Sequence, residues 1–344
     1  MSSTKPLRIT ELSGWRGIFI LMIFFHHVDL LPGGGSIGVA FFFLLGGFAM
    51  TLGYSEKVVA PTFNYGKYLW KRVFKFYPIH WVLLFGFCIL NYLCSAPLGI
   101  KTFIPNFLLL QSFIPNKDFF YSYNSPSWYL CDTLFFVALF PFIIRGIYRL
   151  KDSLWLKVLT ILLVSAYVAA QIVVPEEQSL AILYINPFAR FFDYVAGILA
   201  SLWLLRWTEK EKQVNRLAMY GLLALSVILI ICAFQLDGSV RKHAPVLWIP
   251  MLGLLLSTSI ISLRGGGISL LRSKPLVSFG EVSFAFYMVH SLVINVVKVA
   301  FFKLGISSEI AMVCTALVLS VILSYLATYY FVQPVSLLLN KKLS

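Results

Sequence analysis

Charge is what this 344-residue sequence has least of. Only 12% of its residues are charged, against roughly a quarter in an average soluble domain. Acids are scarcer still, 14 Asp and Glu against 28 Lys and Arg, for a net charge of +14. With 59% hydrophobic residues and a mean hydropathy of +0.85, water is excluded as the main solvent of the chain. The five cysteines are odd in number, lie mostly in apolar runs and lack metal-ligand spacing. That argues against a metal site built on cysteines, and small core residues are expected. No cleavable-leader pattern is seen, since the first apolar stretch contains Arg16 and runs into Gly33-Gly34-Gly35, not a small-x-small cleavage site, and that stretch is expected to be the first span. Heptads, solenoid periods and low-complexity tracts are absent. No polar stretch is long enough for a separate globular domain, so residues 1–344 read as one membrane domain.

What is present is a series of apolar segments of about 20 residues, the length that crosses a bilayer. Ten are expected, at 15–31, 36–54, 76–96, 128–147, 155–174, 187–205, 217–236, 246–263, 281–302 and 309–331. Lipid offers backbone groups no hydrogen-bond partner, and these runs do not alternate strictly, so they are helices and the fold class is all-α and polytopic. Basic residues give the orientation. With the N-terminus inside, 21 of the 28 Lys and Arg fall in inward segments and six in outward ones, while Arg190 lies within a span. Both termini are therefore expected on the cytoplasmic side. The same distribution argues against a nucleic-acid partner and for a lipid bilayer. The longest non-spanning stretch, 97–127, carries Pro97, Pro105, Pro115 and Pro126 with several aromatics, and is expected at the outer interface as the roof of a cavity.

Ionisable groups at membrane depth are costly enough that each is a functional candidate. Arg16, His27, His80, Asp132, Arg190, Asp193 and His290 fall there. Arg16 and His27 are eleven residues apart, which on a helix leaves them about 20° apart in direction and about 16 Å apart in rise. A cation near one mouth and a titratable imidazole deeper on the same face suit group transfer, with an anionic donor at one end and proton chemistry at the other. The plain alternative is an anchoring arginine and a histidine bonded to another helix. His26, about 100° away, is expected to face elsewhere. Lys71, Arg72 and Lys75 precede Tyr77-Pro78, and suit either phosphate binding or positive-inside anchoring. Arg190 and Asp193, at i and i+3, can pair. For His290 a proton relay and an interhelical hydrogen bond are both open. Trp128 and Tyr129, beside Asp132, fit an interfacial belt or a sugar-stacking platform.

Taken in order along nearly the whole chain, these motifs resemble those of the acyltransferase-3 family, ten-span membrane enzymes that modify bacterial surface glycans. Leu12-Ser13-Gly14-Trp15-Arg16-Gly17 followed by His27 is similar to the family's L-D-G-L-R-G…H. The run Phe42 to Phe48 resembles F-F-x-L-S-G-F with Gly46 in place of Ser, and Arg72…Tyr77-Pro78 resembles the family's basic cluster before Y-P. Leu110-Gln111-Ser112, Ser127-Trp128-Tyr129-Leu130…Phe140-Pro141, Arg190 to Gly197 and Ser283 to His290 look like L-Q-S, S-W-S-L…F-P, R-x-x-E-F-x-x-G and S-Y-x-L-Y-L-x-H. Two carboxylates of the pattern are missing. Thr133 stands where the family often has Glu, and Gln333-Pro334 replaces the terminal E-x-P.

The resemblance implies an O-acyltransferase of the bacterial inner (cytoplasmic) membrane. Its co-substrate would be an acyl-CoA, most simply acetyl-CoA, with no tightly bound cofactor or metal, and its acceptor a hydroxyl of a surface or lipid-linked glycan. It implies His27 as general base or acyl-accepting nucleophile with Arg16 beside it, and Arg16, Arg72, Lys75 and Tyr77 as donor-binding residues. Trp128, Asp132, Arg190, Asp193 and His290 would face the acceptor. The competing expectation is a transporter or flippase of a glycolipid or polysaccharide precursor, with the same buried charges lining a pathway. A scaffold would leave those charges without a purpose.

Overall fold

The computed structural model describes residues 9–95, 99–152, 154–209, 214–236 and 247–341. Lys5, Arg8, Pro97, Lys210, Lys212, Arg241, Lys242 and Lys342, used in the charge map and loop reading, lie outside the described residues, as do the expected span ends at 96 and 246. Among the described residues there is no strand. In chain order the helices are α1 (Thr10–His27), α2 (Gly34–Val59), α3 (Tyr65–Leu93), α4 (Ile100–Phe107), α5 (Lys117–Phe120), α6 (Trp128–Ile147), α7 (Leu154–Val173), α8 (Glu176–Ser179) and α9 (Pro187–Glu209). Next come α10 (Arg216–Cys232), α11 (Trp248–Leu263), α12 (Lys274–Lys303), α13 (Glu309–Leu326) and α14 (Gln333–Lys341). π-Helical turns at Leu180–Ile185 and Ala327–Val332 lead into α9 and α14.

Each expected span coincides with a helix. Among the described residues eight helices are long and apolar enough to cross a membrane; α11, at 16 residues, is shorter, and α1 is not among the eight. The protein is an all-α, polytopic membrane protein. Outward-facing apolar residues such as Ile172 (79% exposed) and Ile310 (80%) suit a lipid surrounding.

Three expectations need correction. α3 starts at Tyr65, not at 76, because the Asn64 side chain caps it by accepting from the Lys67 N–H, and Lys and Arg are good helix formers outside the bilayer as well. Lys71, Arg72 and Lys75 are therefore helical, and Tyr77 sits mid-helix. α1 ends at His27 instead of 31, since Asp29 adopts a left-handed φ of 61° and the chain turns back through Leu30 N–H to Phe25 O. Of the cysteines only Cys131 is buried; Cys88 is half-buried, while Cys94, Cys232 and Cys314 point outward, and all five are free.

The stretch after residue 99 folds inward against the middle of α3. Tyr77, His80 and Trp81 share one face of that helix, at i, i+3 and i+4. Their side chains donate to the carbonyls of Leu108 (2.8 Å), Asn106 (2.7 Å) and Phe107 (3.0 Å). The Asn106 amide in turn holds Thr102 O, Phe119 O and Ser122 Oγ, so the roof is tied both to the bundle and to itself.

The core is set by close helix crossings. A Cβ on Gly47 of α2 would overlap the Tyr194 carbonyl of α9, and one on Gly280 of α12 would overlap the Ser13 carbonyl of α1. Only glycine permits backbones to approach so closely. α1 and α12 run parallel, because Gly17 meets Leu276 and Gly280 at one level and His27 meets His290 further along.

Candidate active site

The α1–α12 crossing dictates where the two histidines meet. Gly17 to His27 is ten residues, and Gly280 to His290 is also ten, so on two parallel helices both imidazoles rise about 15 Å from the glycine contact and rotate equally. They arrive face to face. His290 Nε2 lies 3.1 Å from His27 Nδ1, with ring centroids 4.9 Å apart.

Hydrogen bonding assigns the tautomers. His290 is fully buried, and its Nδ1 lies 2.7 Å from Tyr287 O and 3.2 Å from Phe286 O. A carbonyl only accepts, so Nδ1 carries the proton and the Nε2 of neutral His290 is an acceptor. His27 Nδ1 faces Ile23 O at 2.9 Å as well as that acceptor, so it too carries the proton. What remains on His27 is an unprotonated Nε2. The dyad presents one lone pair, and when Nε2 takes a proton, His290 accepts from the resulting imidazolium.

His27 lies on the wall of a cavity of about 530 Å³, a size typical of a small-molecule site. Ile23, His26, Pro32, Gly33, Gly35, Ser36 and Val39 line it from α1 and the start of α2. Tyr121, Ser125, Pro126 and Trp128 line it from the roof and α6, with Leu180, Tyr184 and Tyr287 completing the wall. The roof thus lies over this cavity, as the position of 97–127 suggested. Tyr287 spends its hydroxyl on Pro126 O (3.0 Å) and so offers its ring to the cavity. Tyr121, outside the spanning helices, is kept a neutral phenol, its ionisation pushed up to about 12 by burial. In the first turn of α2, Gly34 N–H bonds Leu31 O and Ile37 N–H bonds Gly33 O. The amides of Gly35 and Ser36 between them have no intrahelical acceptor, as at any helix start.

His26 was expected to face elsewhere, yet it lines the same cavity, because the wall wraps around the last turn of α1 and the α2 glycines approach it closely. Sequence reasoning also missed Tyr121, Tyr184 and Tyr287. Their only signal was aromatic content near proposed polar motifs, which a membrane protein has everywhere.

The other expected residues divide between two places. Trp128 is on the cavity wall. Asp132 is not; it is fully buried and accepts from Ser112 Oγ at 2.6 Å. Arg190 and Asp193 form the expected ion pair at 3.1 Å, with Trp248 Nε1 donating to Asp193 at 2.6 Å. The Arg190 guanidinium lies 5.1 Å from the Phe43 ring and 5.3 Å from the Tyr184 ring, behind the wall. Arg16 lies one end away, within electrostatic reach of Lys75, Tyr129 and Glu281. Arg72, also near Lys75, stacks on Tyr54 at 4.4 Å and Tyr68 at 5.3 Å, and its Nη2 is buried without a hydrogen-bond partner. Tyr77, whose hydroxyl is held by Leu108 O, is turned toward the roof instead. Lys75 lines a second cavity, which shares no lining residue with the first. Among the described residues no group of three or more His, Cys, Asp or Glu could hold a metal ion.

Comparison with known proteins identifies the family. The family model of the acyltransferase domain, acyltransferase-3, matches residues 9–329. This chain belongs to that family. Acyltransferase MdmB from Streptomyces mycarofaciens is 28% identical over 323 residues, 85% of this chain and 80% of that protein. Protein 2 in picA locus from Rhizobium radiobacter is 30% identical over 106 residues, 30% of this chain and 55% of that protein. No solved structure matches. The protein is an acyltransferase, and the matched region contains both histidines of the dyad and Arg16.

Proposed function

We propose that this acyltransferase moves an acyl group, most simply acetyl, from cytoplasmic acyl-CoA to a hydroxyl of a surface or lipid-linked glycan, in the inner membrane of a bacterium. The observation that carries the reading is the His27–His290 dyad, whose one free lone pair borders an aromatic-walled cavity. The acceptor hydroxyl gives its proton to His27 Nε2 as its oxygen attacks the thioester carbonyl. The oxyanion so formed is met by the amides of Gly35 and Ser36. Its collapse breaks the carbon–sulfur bond, and the proton passes from His27 to the departing thiolate. No oxidant, metal or external acid is consumed.

Distances support the donor. From the pyrophosphate of CoA to its sulfur the chain has as many bonds as roughly five extended residues, or about 16–18 Å. The rise from Arg16 to His27 is about 16 Å. A carrier whose phosphates lie among Arg16, Arg72 and Lys75 would therefore bring its thioester to the dyad. The aromatic wall of Trp128, Tyr184 and Tyr287 supports a ring-shaped acceptor with apolar faces.

The test is transfer of label from [14C]acetyl-CoA to a panel of glycans by purified protein in nanodiscs, with wild type beside His27→Ala. Label on a glycan only with wild type is expected. Label that appears equally with the variant removes His27 from the chemistry, and a wild type that moves glycan without labelling it would favour the transporter.

A further inference from the structure

The second cavity, about 280 Å³, is used by nothing in the dyad's chemistry. It lies between α3 and the final helix, lined by Lys75, Val332, Gln333, Ser336 and Leu337. Gln333, Ser336 and Leu337 stand at i, i+3 and i+4 and so form one face of α14. The π-helical turn Ala327–Val332 sets that face: with one residue more per turn than an α-helix allows, it rotates everything after it by about a quarter turn. Lys75 is thus met by an amide, a hydroxyl and two apolar side chains, and by no carboxylate among the lining residues. Two further cations, Arg16 and Arg72, are close enough for their charge to act on Lys75. Of these cations only Lys75 lines the hollow, and Glu281 lies near Arg16, but with no carboxylate in the lining an anion in the hollow offsets the repulsion between Lys75 and the two arginines. The volume suits a phosphate ester or pyrophosphate and is too small for a whole nucleotide carrier.

We infer that this hollow is the seat of the donor's phosphate groups, and that Gln333 and Ser336 of α14 are donor-binding residues acting with Lys75. The inference rests on the acyl-CoA reading above. It assigns a role to the C-terminal helix, which the arginine–histidine motif does not reach. Lys75 supplies a point charge, and the Gln333 amide supplies directed N–H donors to phosphate oxygen.

The experiment measures equilibrium binding of acetyl-CoA and of acetyl-pantetheine, which lacks the phosphates, to the full chain in nanodiscs of zwitterionic lipid. Gln333→Ala and Lys75→Ala are each expected to weaken acetyl-CoA binding about tenfold. Gln333→Glu, which places a negative charge against the phosphates, is expected to weaken it more, by an amount that shrinks with added salt. Acetyl-pantetheine binding should be unchanged in all three. Gln333 is exposed, so its variants test binding without disturbing the core. If wild type binds acetyl-CoA and the Gln333 variants bind it equally well, the inference is overturned while the donor assignment stands. If wild type binds no acetyl-CoA, the donor assignment itself fails. Repeating the series with phosphatidylglycerol separates a lipid headgroup site: phosphatidylglycerol retention that depends on Gln333, with acetyl-CoA binding indifferent to it, also overturns the inference.

Discussion

Replacing His290 isolates what the dyad contributes. In His290→Ala, His27 keeps its tautomer, because Ile23 O still accepts from Nδ1 at 2.9 Å. What disappears is the acceptor 3.1 Å away that holds the imidazolium once Nε2 is protonated. A hydrogen bond to a charged group contributes about 1.5–3 kcal/mol, which corresponds to roughly a 10- to 150-fold fall in kcat. The acetyl-CoA KM should stay within about twofold, since His290 is far from the cationic end. His290→Gln returns an acceptor oxygen at similar reach and should recover part of the loss, which a purely structural role would not predict. Label transfer under single-turnover conditions gives the rate directly. A fall of less than about threefold would refute the partnership. A fall of roughly 10⁴ or more would refute it in the other direction, because a mere acceptor cannot supply that much, and His290 would have to touch the reacting atoms itself.

Other consequences are open to the same assay. Gly280→Ala forces a methyl against the Ser13 carbonyl, so a loss of about 1–3 kcal/mol and a lower Tm are expected together with loss of transfer. Gly221→Ala, with nothing within 4 Å of its Cβ, should leave both intact or raise Tm slightly. Trp128→Ala should raise the acceptor KM about 3- to 10-fold with little change in donor KM, as expected for a lost stacking surface. Ser36→Pro deletes one first-turn amide together with the hydroxyl bond to Gly33 O, and kcat should fall by on the order of 10- to 100-fold, with Ser36→Ala, which removes only the hydroxyl, as its control. Asp132→Asn keeps an acceptor for Ser112 and does not touch the cavity, so transfer should change by less than about threefold; a larger effect would mean that this carboxylate communicates with the dyad.

Much of this arrangement was legible in the sequence because it is local. The apolar runs marked the spans, the three-residue spacing of Arg190 and Asp193 anticipated their ion pair, and the eleven-residue spacing of Arg16 and His27 marked one helix face. What was not legible depends on where separate helices cross. Nothing in a linear reading joins His27 to a residue 263 positions later. The inward course of the roof is likewise fixed by three α3 side chains binding carbonyls that any sequence offers. His26 was misread for a different reason: helical angles hold along a helix, and this residue stands in its final turn, where the cavity wall curves around the end.

The same crossing shows how a histidine base can be oriented and steadied without a carboxylate beside it. A base that must lose and regain a proton needs a partner that fixes its tautomer and steadies its charged form, and these are separable tasks. Here Ile23 O performs the first from within α1, and His290 performs the second from α12. A carboxylate in place of His290 would carry a full buried charge throughout the cycle, costing several kcal/mol of desolvation while His27 is neutral. A neutral imidazole avoids that cost and still accepts from the imidazolium when it forms. Thr133, whose hydroxyl donates to Tyr129 O, and Asp132, which accepts from Ser112 through one oxygen, are then not required beside His27. The requirement is geometric: a neutral acceptor acts only at hydrogen-bond distance, so the proposed role of the dyad requires Gly17 and Gly280 to let two parallel helices close to backbone contact about 15 Å below it.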